Sequence, residues 1–155
     1  MGIDIRDAAA MYLARRSHTC AEMRRHLLQK GFDEEAVTAV INEFIEYGYL
    51  DDSRYCRQYF DYAFGKGKGK RLVFAELREK GVDGDTMRFA FEDWQADGEE
   101  EYKEKEQAMA EASKVLRMAD KEEIDEKLLA KAARRLQSKG YSSDVIYSVI
   151  GALRR

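Results

Sequence analysis

One motif occurs three times in this chain and constrains it more than any other feature. Leu27-Leu28-Gln29-Lys30-Gly31-Phe32, Leu77-Arg78-Glu79-Lys80-Gly81-Val82 and Leu136-Gln137-Ser138-Lys139-Gly140-Tyr141 share L-x-x-K-G followed by an apolar residue. Positions downstream keep step with the glycine. Six residues on stand Val37, Met87 and Ile146; nine on, Val40, Ala90 and Val149; ten on, Ile41, Phe91 and Ile150; thirteen on, Phe44, Trp94 and Leu153. These offsets fall on one stripe of a helix, and an apolar stripe has to be buried against something. Upstream, Met23, Val73 and Ala132 stand four residues before Leu27, Leu77 and Leu136, again on one helical face.

Glycine after the last helical turn suits a left-handed stop, where any side chain costs free energy, and the preceding lysine suits the negative end of the helix dipole. Each unit therefore reads helix, glycine stop, apolar residue, helix. A further helical segment precedes each pair, at residues 4–16, 52–64 and 99–117. Capping signals agree: Thr19-x-x-Glu22 is a capping box, Asp33 precedes Glu34 and Glu35, Asp51 and Asp52 precede a helical run, and Asp120 precedes another. The chain contains no proline, which favours helix nearly throughout. The expected fold is all-α, nine helices in three tandem three-helix, helix-turn-helix-like repeats at residues 1–48, 49–97 and 98–155. The third repeat should have the longer helices, and repeats that each contact mainly their neighbours stack into an elongated curved body. Gly31, Gly81 and Gly140 should each take a positive φ at a helix end, and Gly81→Val should cost about 1–2 kcal/mol.

Several function classes fall away. Lys plus Arg number 27 against 30 Asp plus Glu, a net charge of −3, so the whole-molecule basic footprint of a dedicated DNA binder is missing. Apolar runs are too short for a membrane span. The start, Met-Gly-Ile-Asp-Ile-Arg-Asp, has no secretory pattern, so the expected location is the cytoplasm. Cys20 and Cys56 form no C-x-x-C pair and should be reduced thiols. His18 and His26 have no ligand-spaced neighbour, so neither a metal nor another cofactor is expected. No catalytic constellation such as G-x-S-x-G or H-E-x-x-H is present, and no enzymatic activity is expected.

Candidate contact residues are basic. Lys66-Gly67-Lys68-Gly69-Lys70-Arg71 places four cations in six residues with no acid among them. A phosphate-binding loop of the form G-x-x-x-x-G-K-[ST] fails twice, because Arg71 follows Lys70 and Phe64 stands in the first glycine's place. A flexible basic turn that meets DNA phosphate or an acidic protein surface, and a solvated loop, both remain open. The pairs Arg15-Arg16, Arg24-Arg25 and Arg134-Arg135 belong to helix ends or exposed arcs and have the same two readings. The aromatic run Tyr55, Tyr59, Phe60, Tyr62 and Phe64, with its tyrosines at i, i+4 and i+7, reads as core or packing between units rather than a base-stacking platform. Asp51 and Asp52 read as the start of a helix rather than paired catalytic acids.

Taken together, Arg15-Arg16-Ser17-His18-Thr19-Cys20-Ala21-Glu22-Met23, Lys30-Gly31-Phe32, Tyr47-Gly48-Tyr49-Leu50-Asp51-Asp52-Ser53-Arg54-Tyr55, Lys68-Gly69-Lys70-Arg71 and Glu76-Leu77-Arg78-Glu79-Lys80-Gly81-Val82 resemble the regulatory protein RecX family. The resemblance runs over about residues 8–153 and is strongest in the first two repeats. Thr19 stands where the family usually has serine, Met23 where it has leucine, and residues 98–106 are unusually acidic. The resemblance implies a small cytosolic bacterial protein of three three-helix repeats, and a monomer is expected. It further implies that the protein binds the RecA nucleoprotein filament along its groove and reduces its ATPase, strand exchange and growth in recombination and repair. A secondary contact with single- or double-stranded DNA is compatible with it. The rival from another class is a helix-turn-helix-like DNA-binding module without a RecA role. Charge speaks against that rival, because the third helices open on Glu34 and on Asp85, where phosphate and bases would lie.

Overall fold

A computed structural model describes residues 2–98, 102–119 and 123–154. Among them the chain forms nine helices and no strand: α1 Ile5–Arg15, α2 Cys20–Gln29, α3 Glu34–Glu46, α4 Asp52–Gly65, α5 Lys70–Glu79, α6 Gly84–Asp97, α7 Glu104–Met118, α8 Glu126–Ser138 and α9 Ser143–Leu153. The expected all-α repeat pattern is thus found.

The L-x-x-K-G motif has a specific backbone role. In all three copies the amide of the apolar residue after the glycine donates to the carbonyl of the leucine: Phe32 to Leu27, Val82 to Leu77 and Tyr141 to Leu136, at 3.3, 3.1 and 3.1 Å. The glycine amide donates to the residue after the leucine, closing the last turn at Leu28, Arg78 and Gln137. This is the Schellman arrangement, which satisfies orphan carbonyls only if the glycine is left-handed. Gly31, Gly81 and Gly140 accordingly have φ of 98°, 90° and 88°. Two further helix ends repeat it: Tyr49 donates to Phe44 around Gly48, and Lys68 donates to Ala63 around Gly67.

Most of the predicted stripe is core, while Trp94, Ile146, Ile150 and Leu153 are half-buried at its margin. Met23, Val73 and Ala132 are fully buried, as are Leu27, Leu77 and Leu136, and Val40, Ala90 and Val149 are all but inaccessible. The chain divides into two compact units, Met1–Tyr59 with Leu77–Asp93 and Phe60–Glu76 with Trp94–Arg155, so α4, α5 and α6 contribute residues to both. In the first unit α1, α2 and α3 pack on one another around Ala9, Met23, Leu27, Val37, Val40, Ile41, Phe44 and Leu50. In the second, α7 packs on α8 and α9 around Ala108, Ala112, Leu128, Ala132, Leu136, Tyr141 and Val149. Beside that core lies an aromatic group in which Phe64 meets Tyr102 at 4.5 Å and Phe60 lies 5.7 Å from Trp94.

Caps follow the sequence closely. The Thr19 hydroxyl accepts from the Glu22 amide at 3.1 Å while the Glu22 carboxylate accepts from the Thr19 amide at 3.0 Å, completing the capping box. Asp33 caps α3, and Asp51 accepts from the Arg54 amide at the start of α4. Asp52 accepts from the Cys20 amide at 2.9 Å, and the Thr19 hydroxyl donates to the Lys80 carbonyl at 2.7 Å. Asp51 therefore meets an amide of the helix it precedes, as expected, whereas Asp52, the first residue of α4, turns to the amide that starts α2.

Some local expectations change. The stretch 99–101, expected to begin a helix, and Asp120, expected to cap one, lie outside the described residues. Tyr102 and Lys103 are not helical, so α7 starts at Glu104, and α8 is capped by Asp125 through the Leu128 amide. The extra length of the third repeat resides in α7 and α8, of 15 and 13 residues, whereas α9 has 11 against 13 in α3 and 14 in α6. On α4 the buried stripe is Cys56, Phe60, Ala63 and Phe64, and Tyr62 is exposed. Tyr55 and Tyr59 are half-buried, stacked with ring centroids 6.3 Å apart. Of the aromatic run, Phe60 and Phe64 are core as expected, whereas Tyr55, Tyr59 and Tyr62 lie beside that buried face.

Candidate partner interface

The basic segment lies between α4 and α5, and its backbone is held on several sides. Gly67 is the Schellman glycine of α4, with φ 83°. The Gly67 carbonyl accepts from the Tyr141 hydroxyl at 2.7 Å, and the Gly69 amide donates to the Lys139 carbonyl at 2.7 Å. Gln107 donates through Nε2 to the Phe64 carbonyl at 2.7 Å, and Lys139 Nζ reaches the Lys66 carbonyl at 3.3 Å. Gly69 has no room for a side chain, since a Cβ would press within 2.7 Å of the Gly140 carbonyl group. The backbone of the segment is therefore held by hydrogen bonds to Gln107, Lys139 and Tyr141.

Its cations are not equivalent. Lys68 forms a two-oxygen contact with the Glu76 carboxylate at 2.9 and 3.0 Å and is partly covered. Lys66 is exposed and lies 4.8 Å from the Tyr62 ring centre, while Lys70 sits 5.4 Å from the Phe74 ring. Arg71 is exposed and has no ion pair among the described residues.

The arginine pairs divide in the same way. Arg15 and Arg25 are exposed. Arg16 lies 3.6 Å from the Glu22 carboxylate, and Arg24 donates to the Thr38 hydroxyl at 3.2 Å. Arg135 lies 3.6 Å from Glu111, a carboxylate only 3% exposed that also holds Lys114 at 2.8 Å. Arg134, one residue away, points elsewhere on α8. It shares with Arg71 the wall of a cleft of about 560 Å3 whose other lining residues include Gln137, Ser143, Ile146 and Tyr147.

Tyr147 is a residue the repeat arithmetic passes over. It stands seven residues after Gly140, where the other repeats have Thr38 and Arg88, and all three positions are exposed. A large aromatic at a polar repeat position was the available signal, and Tyr147 is 85% exposed.

The remaining chemistry is quiet. Both cysteines are free, and burial, helped by Asp52, pushes the Cys20 and Cys56 thiols up to about 12, far from a reactive thiolate. His18 and His26 stack on opposite faces of Tyr12, with centroids 3.6 and 3.7 Å apart. Among the described residues no group of His, Cys, Asp and Glu is arranged to hold a metal, and no helix is long and apolar enough to cross a membrane.

This arrangement of repeats has close counterparts. Residues 6–44, 51–90 and 101–150 match the family models for the first, second and third three-helix domains of RecX in that order. The regulatory protein RecX of Vibrio parahaemolyticus is 35% identical over 141 residues, covering 91% of this chain and 86% of its own. That of Clostridium botulinum is 34% identical over 149 residues, 96% of this chain and 68% of its own. The crystal structure of RecX from Lactobacillus salivarius superposes with a TM-score of 0.80 at 22% identity, over 97% of this chain and 94% of that one, a likeness of fold. The matched domains come in the same number and order as the glycine-stopped repeats, and the relatives align along most of both chains, so this chain belongs to the RecX family of regulatory proteins.

Proposed function

We propose that this chain binds RecA nucleoprotein filaments and restrains them, lowering RecA ATPase, strand exchange and filament growth in recombination and repair. The single observation that carries this reading is the run of three RecX domains through residues 6–150. The protein acts as a cytoplasmic monomer through contact, not catalysis. Its three domains, at residues 1–48, 49–97 and 98–155, divide the partner surface between them. Of the candidate cations, Arg15, Arg25, Lys66, Arg71 and Arg134 are exposed and available to an acidic filament surface or to DNA phosphate. Arg16, Arg24, Arg135 and Lys68 contribute less, because their side chains already engage neighbours within the fold, and Lys70 because it is half-buried.

A direct DNA-reading role fits less well. Glu34 and Glu35 open α3 and Asp85 lies in the first turn of α6, so the first turns of these third helices present carboxylates where base edges or phosphates would have to approach. The deciding experiment is DNA-dependent ATP hydrolysis by RecA from the same source with this protein titrated in. The rate should fall at or below equimolar protein, and the protein alone should hydrolyse no ATP. An unchanged rate across a broad titration removes the reading.

A further inference from the structure

The cleft shared by Arg71 and Arg134 has the composition of a receptor for carboxylates. None of its lining residues is an aspartate or glutamate, in a chain that carries 30 of them. Neither arginine makes an ion pair among the described residues. Arg71 belongs to the first turn of α5, which contains no acid, so the positive end of that helix reinforces the guanidinium instead of offsetting it. Between the arginines the walls change character. Leu72 and Ile146 supply half-buried apolar surface, Gln137 and Ser143 supply neutral donors, and Tyr147 stands on the rim with its ring exposed.

We propose that this cleft docks an acidic peptide segment of the protein partner, with Arg71 and Arg134 each taking a carboxylate and Ile146 and Tyr147 packing the apolar residues between. The proposal rests on the reading of the chain as a filament regulator and names the chemistry that one of its surfaces recognises. Guanidinium groups engage carboxylates in two-point fashion, which an ammonium does not reproduce. The apolar floor favours a peptide over a nucleic acid backbone. A nucleic acid strand needs a continuous row of cations along its phosphates, whereas this cleft has two arginines and the chain as a whole is at −3. Its volume of about 560 Å3 suits a few side chains.

The test uses the full chain and a short labelled peptide of alternating glutamate and leucine, read by fluorescence anisotropy at low salt. The same peptide with glutamine for glutamate and an oligothymidine of about 20 residues are the comparison probes. The acidic peptide should bind, and the R71Q/R134Q variant should bind it about tenfold or more weakly with an unchanged melting temperature. R71K/R134K should recover part of the loss. K127Q/K131Q, which changes exposed cations of α8 outside the cleft, should alter affinity by less than about twofold. Equal binding of the glutamate and glutamine peptides, or equal loss in K127Q/K131Q, overturns the proposal. Loss confined to the oligothymidine assigns the cleft to nucleic acid and also overturns it. RecA inhibition separates the two readings. Full inhibition by R71Q/R134Q removes the cleft from the regulator, whereas no inhibition by the unchanged chain removes the regulator reading and leaves the peptide result to decide the cleft.

Discussion

The buried hydroxyl of Tyr141 donates to the carbonyl of Gly67 at 2.7 Å, across 74 residues of sequence. Both residues sit at helix stops. Gly67 is the left-handed residue that ends α4, and Tyr141 is the apolar position of the third L-x-x-K-G motif, its own amide bonded back to Leu136. One residue therefore closes α8 through its amide, fills the core of the second unit with its ring and holds through its hydroxyl the backbone from which Lys66 and Arg71 project.

Tyr141→Phe removes the bond and keeps the ring. A buried carbonyl that loses its partner typically costs about 1–2 kcal/mol, and that is the expected loss in denaturant unfolding. RecA inhibition should fall as well, measured where the variant is fully folded. A variant as stable as the unchanged chain would show that the hydroxyl does not restrain the loop.

The repeat glycines should differ in their sensitivity. Gly31 and Gly81 have similar positive φ, but a Cβ at Gly31 meets open space whereas one at Gly81 would overlap the Cβ of Ala21. Gly31→Ala should cost only the conformational penalty, about 1 kcal/mol. Gly81→Ala should cost at least about 1 kcal/mol more, because α2 must move away, and Gly81→Val should exceed the 1–2 kcal/mol expected from φ alone. Urea midpoints measured in parallel decide it, and equal losses at the two sites would refute the close approach of Ala21.

These cases show why parts of the molecule were legible in the sequence. The Schellman stop is local: leucine, glycine and the following apolar residue meet within six positions, so the repeat displayed its own geometry and its buried stripe. On α4 two aromatic stripes one residue apart competed, Tyr55-Tyr59-Tyr62 and Cys56-Phe60-Ala63-Phe64, and periodicity alone does not choose between them. The polar hydroxyls were the better guide to the exposed side. Lys66–Arg71 read as a charged loop because the groups that hold it, Lys139 and Tyr141, come from about 70 residues away. The cleft is non-local for the same reason, since α5, α8 and α9 each supply part of it.

Within the basic segment, Lys68→Ser and the pair Lys66→Ser with Arg71→Ser should have different consequences. Lys68 is partly covered and holds Glu76, so its loss should cost at most about 1 kcal/mol of stability and leave partner binding nearly intact. Lys66 and Arg71 are exposed, and removing them should weaken RecA inhibition and reduce its salt sensitivity. If they meet single-stranded DNA instead, the slope of log K against log salt should fall by about 0.7 for each phosphate no longer neutralised. A matching change at Lys103 and Lys105 should matter less, since Lys103 already lies 3.7 Å from Glu106. The acids 99–101, which would also repel an anionic partner there, lie outside the described residues. Unaltered folding, DNA affinity and RecA inhibition after Lys66→Ser with Arg71→Ser would return the segment to a solvated loop.

Stability should depend on pH through His18. Its ring is buried, stacked on Tyr12, and neither nitrogen has a hydrogen-bond partner among the described residues; Glu22 Oε1 is 3.7 Å from Nδ1. Burial, with Arg16 nearby, holds the imidazole below its ordinary value of 6.5, and this outweighs the opposing pull of Glu22. Below pH 6.5 the unfolded chain takes up a proton here that the folded chain refuses, so the folded state loses stability as pH falls from 6.5 toward the lower folded value. Above 6.5 the contribution is fully present. His26, on the other face of Tyr12, shifts in the same direction but is less enclosed. His18→Phe keeps the stacked ring and removes both the titration and the two unpaired nitrogens. Its melting temperature should therefore fall less than that of the unchanged chain between about pH 7.5 and 5.5, and His26→Phe should give a smaller change of the same sign. Each variant shares every other titratable group with the unchanged chain, so the difference between the curves isolates the imidazole. Parallel curves for His18→Phe and the unchanged chain would mean that His18 charges as readily in the folded state as in the unfolded one.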